Sequence, residues 1–196
     1  MTQPIANERT PEVEVDAIFT DRWSPRSFVD EPLLASEVAA LFEAARWAPS
    51  CYNDQPWHFR YAVTADDRRL FAEALVDKNR EWARHAPLLL FVLARKNFSA
   101  TGKPNRHAVF DAGAAWMSLA LQARRMGLYA HGMAGFSVAR AAEVMNVSLD
   151  EYEIMAAVAV GRRDEPQKLP DDLAQAERPN GRKPQCEVAG EGPLKD

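Results

Sequence analysis

The sequence predicts a single domain that mixes helices with a sheet, and three features carry that reading. Residues 88–93 and 154–160 are apolar without alternation, the pattern of strands covered on both faces. Residues 106–126 hold the longest helical periodicity in the chain. At 196 residues there is length for one full-sized core, and neither an internal repeat nor a second domain is visible.

Composition narrows the class. Hydrophobic content of 47% with 27% charged residues is ordinary for a soluble globular protein. A net charge of −4 and a pI near 5.6 argue against nucleic acid or an anionic membrane as the main partner. Cys51 and Cys186 lie far apart and match neither zinc nor CxxC spacing. The start of the chain is polar and acidic, and no 18-residue apolar run occurs. The expected location is therefore the cytoplasm, with free thiols.

Residues 1–10 are expected to be frayed, and Val15, Ile18 and Phe19 mark a short helix ending near Asp21. Next comes Arg22-Trp23-Ser24-Pro25-Arg26-Ser27-Phe28. Arginine donates in a fork that matches phosphate oxygens and serine adds a neutral donor; the alternative is an ordinary exposed loop. Ser36 is a plausible N-cap for a helix over 36–47, with Val38, Leu41, Phe42 and Ala45 on one face. Pro49 ends that helix.

Between this helix and a strand at 57–63 lies Ala48-Pro49-Ser50-Cys51-Tyr52-Asn53-Asp54-Gln55-Pro56. Ser50, Asn53 and Gln55 offer hydroxyl and amide groups that suit a flat, heteroatom-rich ligand. On this loop alone, a plain helix-to-strand turn is the favoured reading.

Residues 66–77 read as one helix with Leu70, Phe71, Ala74 and Leu75 inward, and residues 79–83 connect it to Ala86-Pro87 and the first buried strand. Residues 95–106 are polar, with Gly102 and Pro104, and are expected to form a mobile loop. On the long helix, Val109, Gly113, Trp116, Ala120 and Leu121 are predicted to share one face, and Gly127 to cap its end. Residues 112–115 keep another face thin, suited to close helix or subunit contact. Residues 128–136 begin as a strand and become Gly132-Met133-Ala134-Gly135-Phe136, where glycine permits close approach of a ligand or merely ends a strand. Ser137 can cap a helix through Met145.

From residue 164 onward, Pro166, Pro170, Pro179 and Pro184 with many charges describe an extended arm. It offers an edge-strand candidate at 186–188 and the basic pair Arg182-Lys183. The spacings of His58, His85, His107 and His131 suggest neither a metal site nor a triad, so each reads as structural. GxGxxG and Walker loops are absent. Scattered donors and arginines without a catalytic acid fit an enzyme whose cofactor carries the reaction.

Five motifs in order resemble the FMN-dependent nitroreductase family over residues 13–190. They are Arg-x-Ser-x-Arg-x-Phe at 22–28, Ala-Pro-Ser-x-x-Asn-x-Gln-Pro-Trp at 48–57, and Asn79 to Trp82 before Ala86-Pro87. Met-Ala-Gly-Phe at 133–136 and Arg182-Lys183-Pro184 complete the set. The resemblance implies an α+β fold: an α/β/α sandwich with a central mixed sheet, forming a homodimer with FMN at the subunit interface and the C-terminal arm exchanged. It implies that Arg22, Ser24 and Arg26 hold the phosphate and ribityl chain beside Trp23, with Arg182 and Lys183 arriving from the arm. Pro49, Ser50, Cys51, Asn53 and Gln55 would reach the flavin from the partner. Asn79 would bond the pyrimidine edge, and Met133, Ala134 and Gly135 would bring backbone to N5 and O4. Trp23 departs from a usually basic position, and Cys51 from a usual serine.

The implied activity is hydride transfer from NADPH or NADH, through FMN, to nitroaromatics, quinones or similar flat acceptors in ping-pong order, with no side chain assigned as catalytic. The alternatives are an enzyme of the same fold acting on an enone or halogenated phenol, and a flavin-binding dimer without turnover.

Overall fold

The structure is a computed structural model that describes residues 7–193, so residues 1–6 of the stretch expected to fray lie outside it. Four strands form one sheet: β1 (Trp57–Ala62), β2 (Leu88–Arg95), β3 (Tyr129–Met133) and β4 (Tyr152–Gly161), in the order β1-β2-β4-β3. The expected α+β class is what is found. All three pairings among the described residues are antiparallel, however, rather than mixed. β2 and β3 do run parallel, but β4 is inserted between them, so no parallel pair shares hydrogen bonds.

Helices cover both faces. Because side chains alternate along a strand, β2 sends Leu89, Phe91 and Leu93 to one core and Leu88, Leu90, Val92 and Ala94 to the other. Burying each such leucine or phenylalanine contributes about 1.5–3 kcal/mol. The first core is closed by α3 (Ala65–Ala72), α4 (Asp77–Ala83), α6 (Val138–Met145) and α7 (Asp171–Gln175) through Phe71, Trp82, Met145 and Leu173. The second is closed by α2 (Ala35–Arg46) and α5 (Ala108–Arg125) through Leu41, Ala45, Ala112 and Leu119. A short α1 (Ala17–Asp21) precedes them.

Several expectations change. The helix predicted over 66–77 is two helices, α3 and α4. The backbone between them is taken by the stretch after β3: Ser137 N donates to Ala74 O at 2.7 Å and Val76 N to Gly135 O at 3.1 Å. Helix α2 starts before Ser36, and Glu37 Oε2 accepts the Leu34 amide at 2.8 Å in place of a serine cap. On α5 the buried residues are Ala108, Asp111, Ala112, Ala115, Leu119, Ala120 and Ala123, so of the predicted face Ala120 is buried while Val109 and Gly113 are exposed. Large side chains dominated the periodicity, but alanines are what let α5 lie close to α2 and the sheet. Ala112 and Ala115 are therefore core residues, while Val109 and Phe110 stay outside.

Gly127, at φ +75, does end α5, and Ser137 does cap α6, its hydroxyl accepting Arg140 N at 3.2 Å. The edge strand expected at 186–188 is a tight turn, Gln185–Glu187, directly after Pro184. The arm is also packed further than expected, with Leu173 and Glu177 buried. Both cysteines are free, and no helix among the described residues is long and apolar enough to cross a membrane.

Candidate functional site

The segment after β4 clamps the stretch 22–28. Val29 N donates to Arg162 O (3.0 Å), Asp164 N to Ser27 O (2.9 Å) and Ser27 Oγ to Glu165 O (2.7 Å). Glu177 Oε1 accepts both the Arg26 and Ser27 amides, at 2.6 and 2.9 Å. So held, the stretch forms one wall of a cavity of about 520 Å³. Its lining is Arg9, Arg22, Trp23, Ser24, Arg26, His131, Ala176, Arg178, Asn180 and Arg182.

The cavity lining holds five arginines and no carboxylate residue. Burial lowers the Arg22 pKa, and the nearby Arg182 charge lowers it further. Arg9 is lowered in the same way by burial, Arg182 and Arg22. Mutual repulsion of this kind is relieved by an anion bound between the cations, and the forked donors suit a phosphate. Arg9 is fixed by its own bonds, Nη1 to Arg22 O at 2.7 Å and Nε to Asn180 O at 2.8 Å.

Burial, with the charge of Arg26, pushes the His131 pKa down to about 4, against hydrogen bonds to the Pro25 and Ser24 carbonyls. His131 is thus neutral near pH 7, with Nδ1 2.9 Å from Pro25 O and its ring 4.6 Å from that of Trp82. Trp23 is buried, edge-on to Tyr129, so the side chain at this usually basic position serves packing. Arg9 and Arg178 supply cations that sequence reasoning missed. The one available signal was that both flank segments already read as basic or polar. Lys183 is exposed and lies outside this cavity, in the neighbouring groove between residues 8–20 and the arm.

Strand β3 carries His131 and Met133 and leads directly into Ala134 and Gly135. Asn79 Nδ2 donates to Gly135 O at 3.1 Å, so these two expected residues do meet. A Cβ on residue 135 would lie 2.5 Å from Asn79 Nδ2 and 3.0 Å from Val76 Cγ2, so the amide and the loop fit only around glycine. Ala134 is exposed, whereas the Met133 side chain is turned into the core. From His131 to Gly135 the strand spans about 13 Å. Strand β3 thus leads from the cavity wall at His131 toward the Asn79–Gly135 pair.

The loop after α2 stands apart from both. Ser50 Oγ accepts Gln55 N at 3.0 Å, Gln55 Nε2 donates to Asn53 O at 3.0 Å, and Cys51 N donates to buried Asp111 at 3.1 Å. Pro49 is exposed and Cys51 half-buried. Tyr52, Asn53 and Gln55 all have left-handed backbone, φ 53, 56 and 50. Asp54 holds them there, accepting Ser99 N and Oγ, Arg95 Nη2 and Asn105 Nδ2 at 2.6–3.3 Å. Asp54 and Asp111, not the prolines alone, fix this loop. Among the described residues it shares no hydrogen bond with the arginine cavity or with Asn79.

Comparison with known proteins identifies the family of this fold. A crystal structure of an oxidoreductase containing FMN matches with a TM-score of 0.92 and 42% identity, covering 100% of this chain and 99% of that one. Protein DrgA of Synechocystis sp. is 31% identical over 179 residues, 76% of this chain and 84% of that protein. A Streptomyces coelicolor protein described provisionally as NADH dehydrogenase/NAD(P)H nitroreductase is 31% identical over 90 residues, 46% of this chain and 45% of its own length. The chain spans less than half the length of the first curated relatives it matches. The model of the nitroreductase family matches residues 19–80 and 62–162. The chain belongs to the nitroreductase family, and it carries a cavity lined by five arginines and by His131 of β3.

Proposed function

We propose that the chain is an FMN-dependent oxidoreductase that draws electrons from NADPH or NADH and reduces nitroaromatics, quinones or similar flat acceptors. The observation that carries this reading is the pocket of five arginines without a carboxylate, joined through β3 to the Asn79–Gly135 pair. When bound, FMN would supply the two-electron chemistry, in ping-pong order.

The residues present fit that group. Arg22, Ser24, Arg26 and Arg182 would hold its phosphate end, now joined by Arg9 and Arg178. Neutral His131 would add no charge. The Asn79 amide and the backbone at Ala134 and Gly135 would meet the ring, where donors favour electron-rich states. Pro49, Ser50, Asn53 and Gln55 would complete the site from a second copy of the chain. That assignment agrees with their separation from the cavity within one protomer. Trp47, Phe110 and Val109 are 72%, 79% and 41% exposed, an apolar surface suited to a homodimer seam. Protons would come from water, so no side chain is given that role. The proposed location is the cytoplasm.

The test is anaerobic addition of NADPH or NADH to purified protein while the flavin absorbance is followed. Bleaching, then recovery on adding a nitroaromatic or quinone, supports the enzyme. A yellow protein that neither donor bleaches is a passive binder, and a colourless one that takes up no FMN overturns the reading.

A further inference from the structure

Glu177 lies outside the arginine cavity yet directly behind it. Its side chain is wholly buried, and its two oxygens have different surroundings. Oε1 accepts the backbone N–H of both Arg26 and Ser27, at 2.6 and 2.9 Å. Oε2 is buried without a hydrogen-bond partner and sits 3.9 Å from Arg26 Nη1. Such an atom costs free energy unless the group serves another purpose. The acceptor comes from 150 positions along the chain, on the turn that also carries Ala176 and Arg178 into the cavity wall.

We propose that Glu177 is a positioning residue for the anion pocket: one acceptor atom sets the backbone of Arg26 and Ser27, and so aims Ser24 and Arg26 at the phosphate end of the ligand. This deepens the proposed FMN site and rests on it. Two consecutive N–H groups converging on one oxygen fix the peptide planes on either side, which neither the Ser27 hydroxyl bond nor the Phe28–Arg163 bridge does. The role needs the acceptor, not the charge. A full negative charge behind Arg26 would offset part of the pocket's positive potential. Burial opposes it by raising the Glu177 pKa, against the Ser27 and Arg26 amides and the charges of Arg26 and Arg163.

The test uses the full-length chain stripped of flavin, the variants Glu177→Gln and Glu177→Asp, and titration with FMN and with riboflavin, which lacks the phosphate. Gln keeps the acceptor in place, so its FMN affinity should stay within about three-fold of the parent. Asp withdraws it by one methylene, so FMN affinity should fall about ten-fold while riboflavin affinity changes less than about two-fold. Equal loss of both flavins in Glu177→Asp makes the residue merely structural and overturns the proposal, as does unchanged FMN binding. Loss of FMN in Glu177→Gln with wild-type binding in Glu177→Asp shows that charge matters, and overturns it too. Inorganic phosphate is the second probe, read as a rise in melting temperature. If the parent chain binds no flavin, the cofactor reading fails alone. Phosphate stabilisation kept in Gln and lost in Asp then still supports the positioning role, and any other pattern overturns it.

Discussion

Gly135 and Asn79 meet at a distance that leaves no space for one carbon atom. A side chain at 135 must displace the Asn79 amide, because Val76 closes the other direction. Gly135→Val should therefore give folded protein with little or no flavin. The ratio of flavin to protein absorbance after purification checks this, and full occupancy would place the ring elsewhere. The neighbouring His131 carries a pH dependence. Its folded pKa of about 4 lies below the ordinary imidazole value of 6.5, so its share of stability is complete above pH 6.5 and is lost as pH falls toward 4. The loss should reach about 3 kcal/mol. Urea unfolding between pH 7.5 and 4.5 should show that slope in the parent and a flatter one in His131→Gln; identical slopes would remove His131 as the cause. Arg22, Ser24 and Arg26, which share one cavity, were legible as candidate phosphate donors within one short motif, whereas Asn79 was singled out only by the family resemblance. Arg9, Arg178 and Glu177 were not, since each acts across the fold from a segment with no motif of its own.

At the scale of elements, the loop after α2 depends on one carboxylate. Three left-handed residues cost roughly 1–2 kcal/mol each and persist only under outside constraint. Asp54 supplies it by tying the loop to Ser99, Arg95 and Asn105. Asp54→Ala should lower stability by about 3 kcal/mol, since it strands the half-buried Arg95 beside the lost acceptor. It should also raise backbone exchange at 51–55 and 97–105. Chemical denaturation and hydrogen exchange measure the two, and a variant as stable as the parent would show that the loop holds itself. Strands β2 and β4 were readable because continuous apolar runs survive any register. The division of 66–77 into α3 and α4 was not, because it is dictated by backbone bonds from residues 135–137. The buried face of α5 was misread because packing selected small residues over large ones.

For the whole molecule, the arm bears on both the proposed assembly and the proposed ligand site. Arg182 lines the cavity and Gln185 N donates to Glu12, so residues 178–188 lie along the chain's own N-terminal segment. Removing residues 179–196 takes away one pocket cation and Asn180, one of the partners of Arg9. FMN affinity should fall at least about ten-fold, and the proposed dimer should weaken. Sedimentation velocity at the flavin wavelength reads both at once, and a truncated chain that stays dimeric and fully yellow would show the arm to be dispensable.

The bond between Arg9 and Asn180 spans 171 positions, a contact that looks expensive for a flexible polymer to close. It is not. The Phe28–Arg163 bridge has already pinned the chain far inside both ends. From that knot outward, the two tails have only roughly 36 residues left to zip together, and closure entropy grows with the logarithm of length. The ends can therefore unzip together while the sheet stays shut. A dianion held between Arg9 on one tail and Arg182 on the other would act as the slider that fastens them.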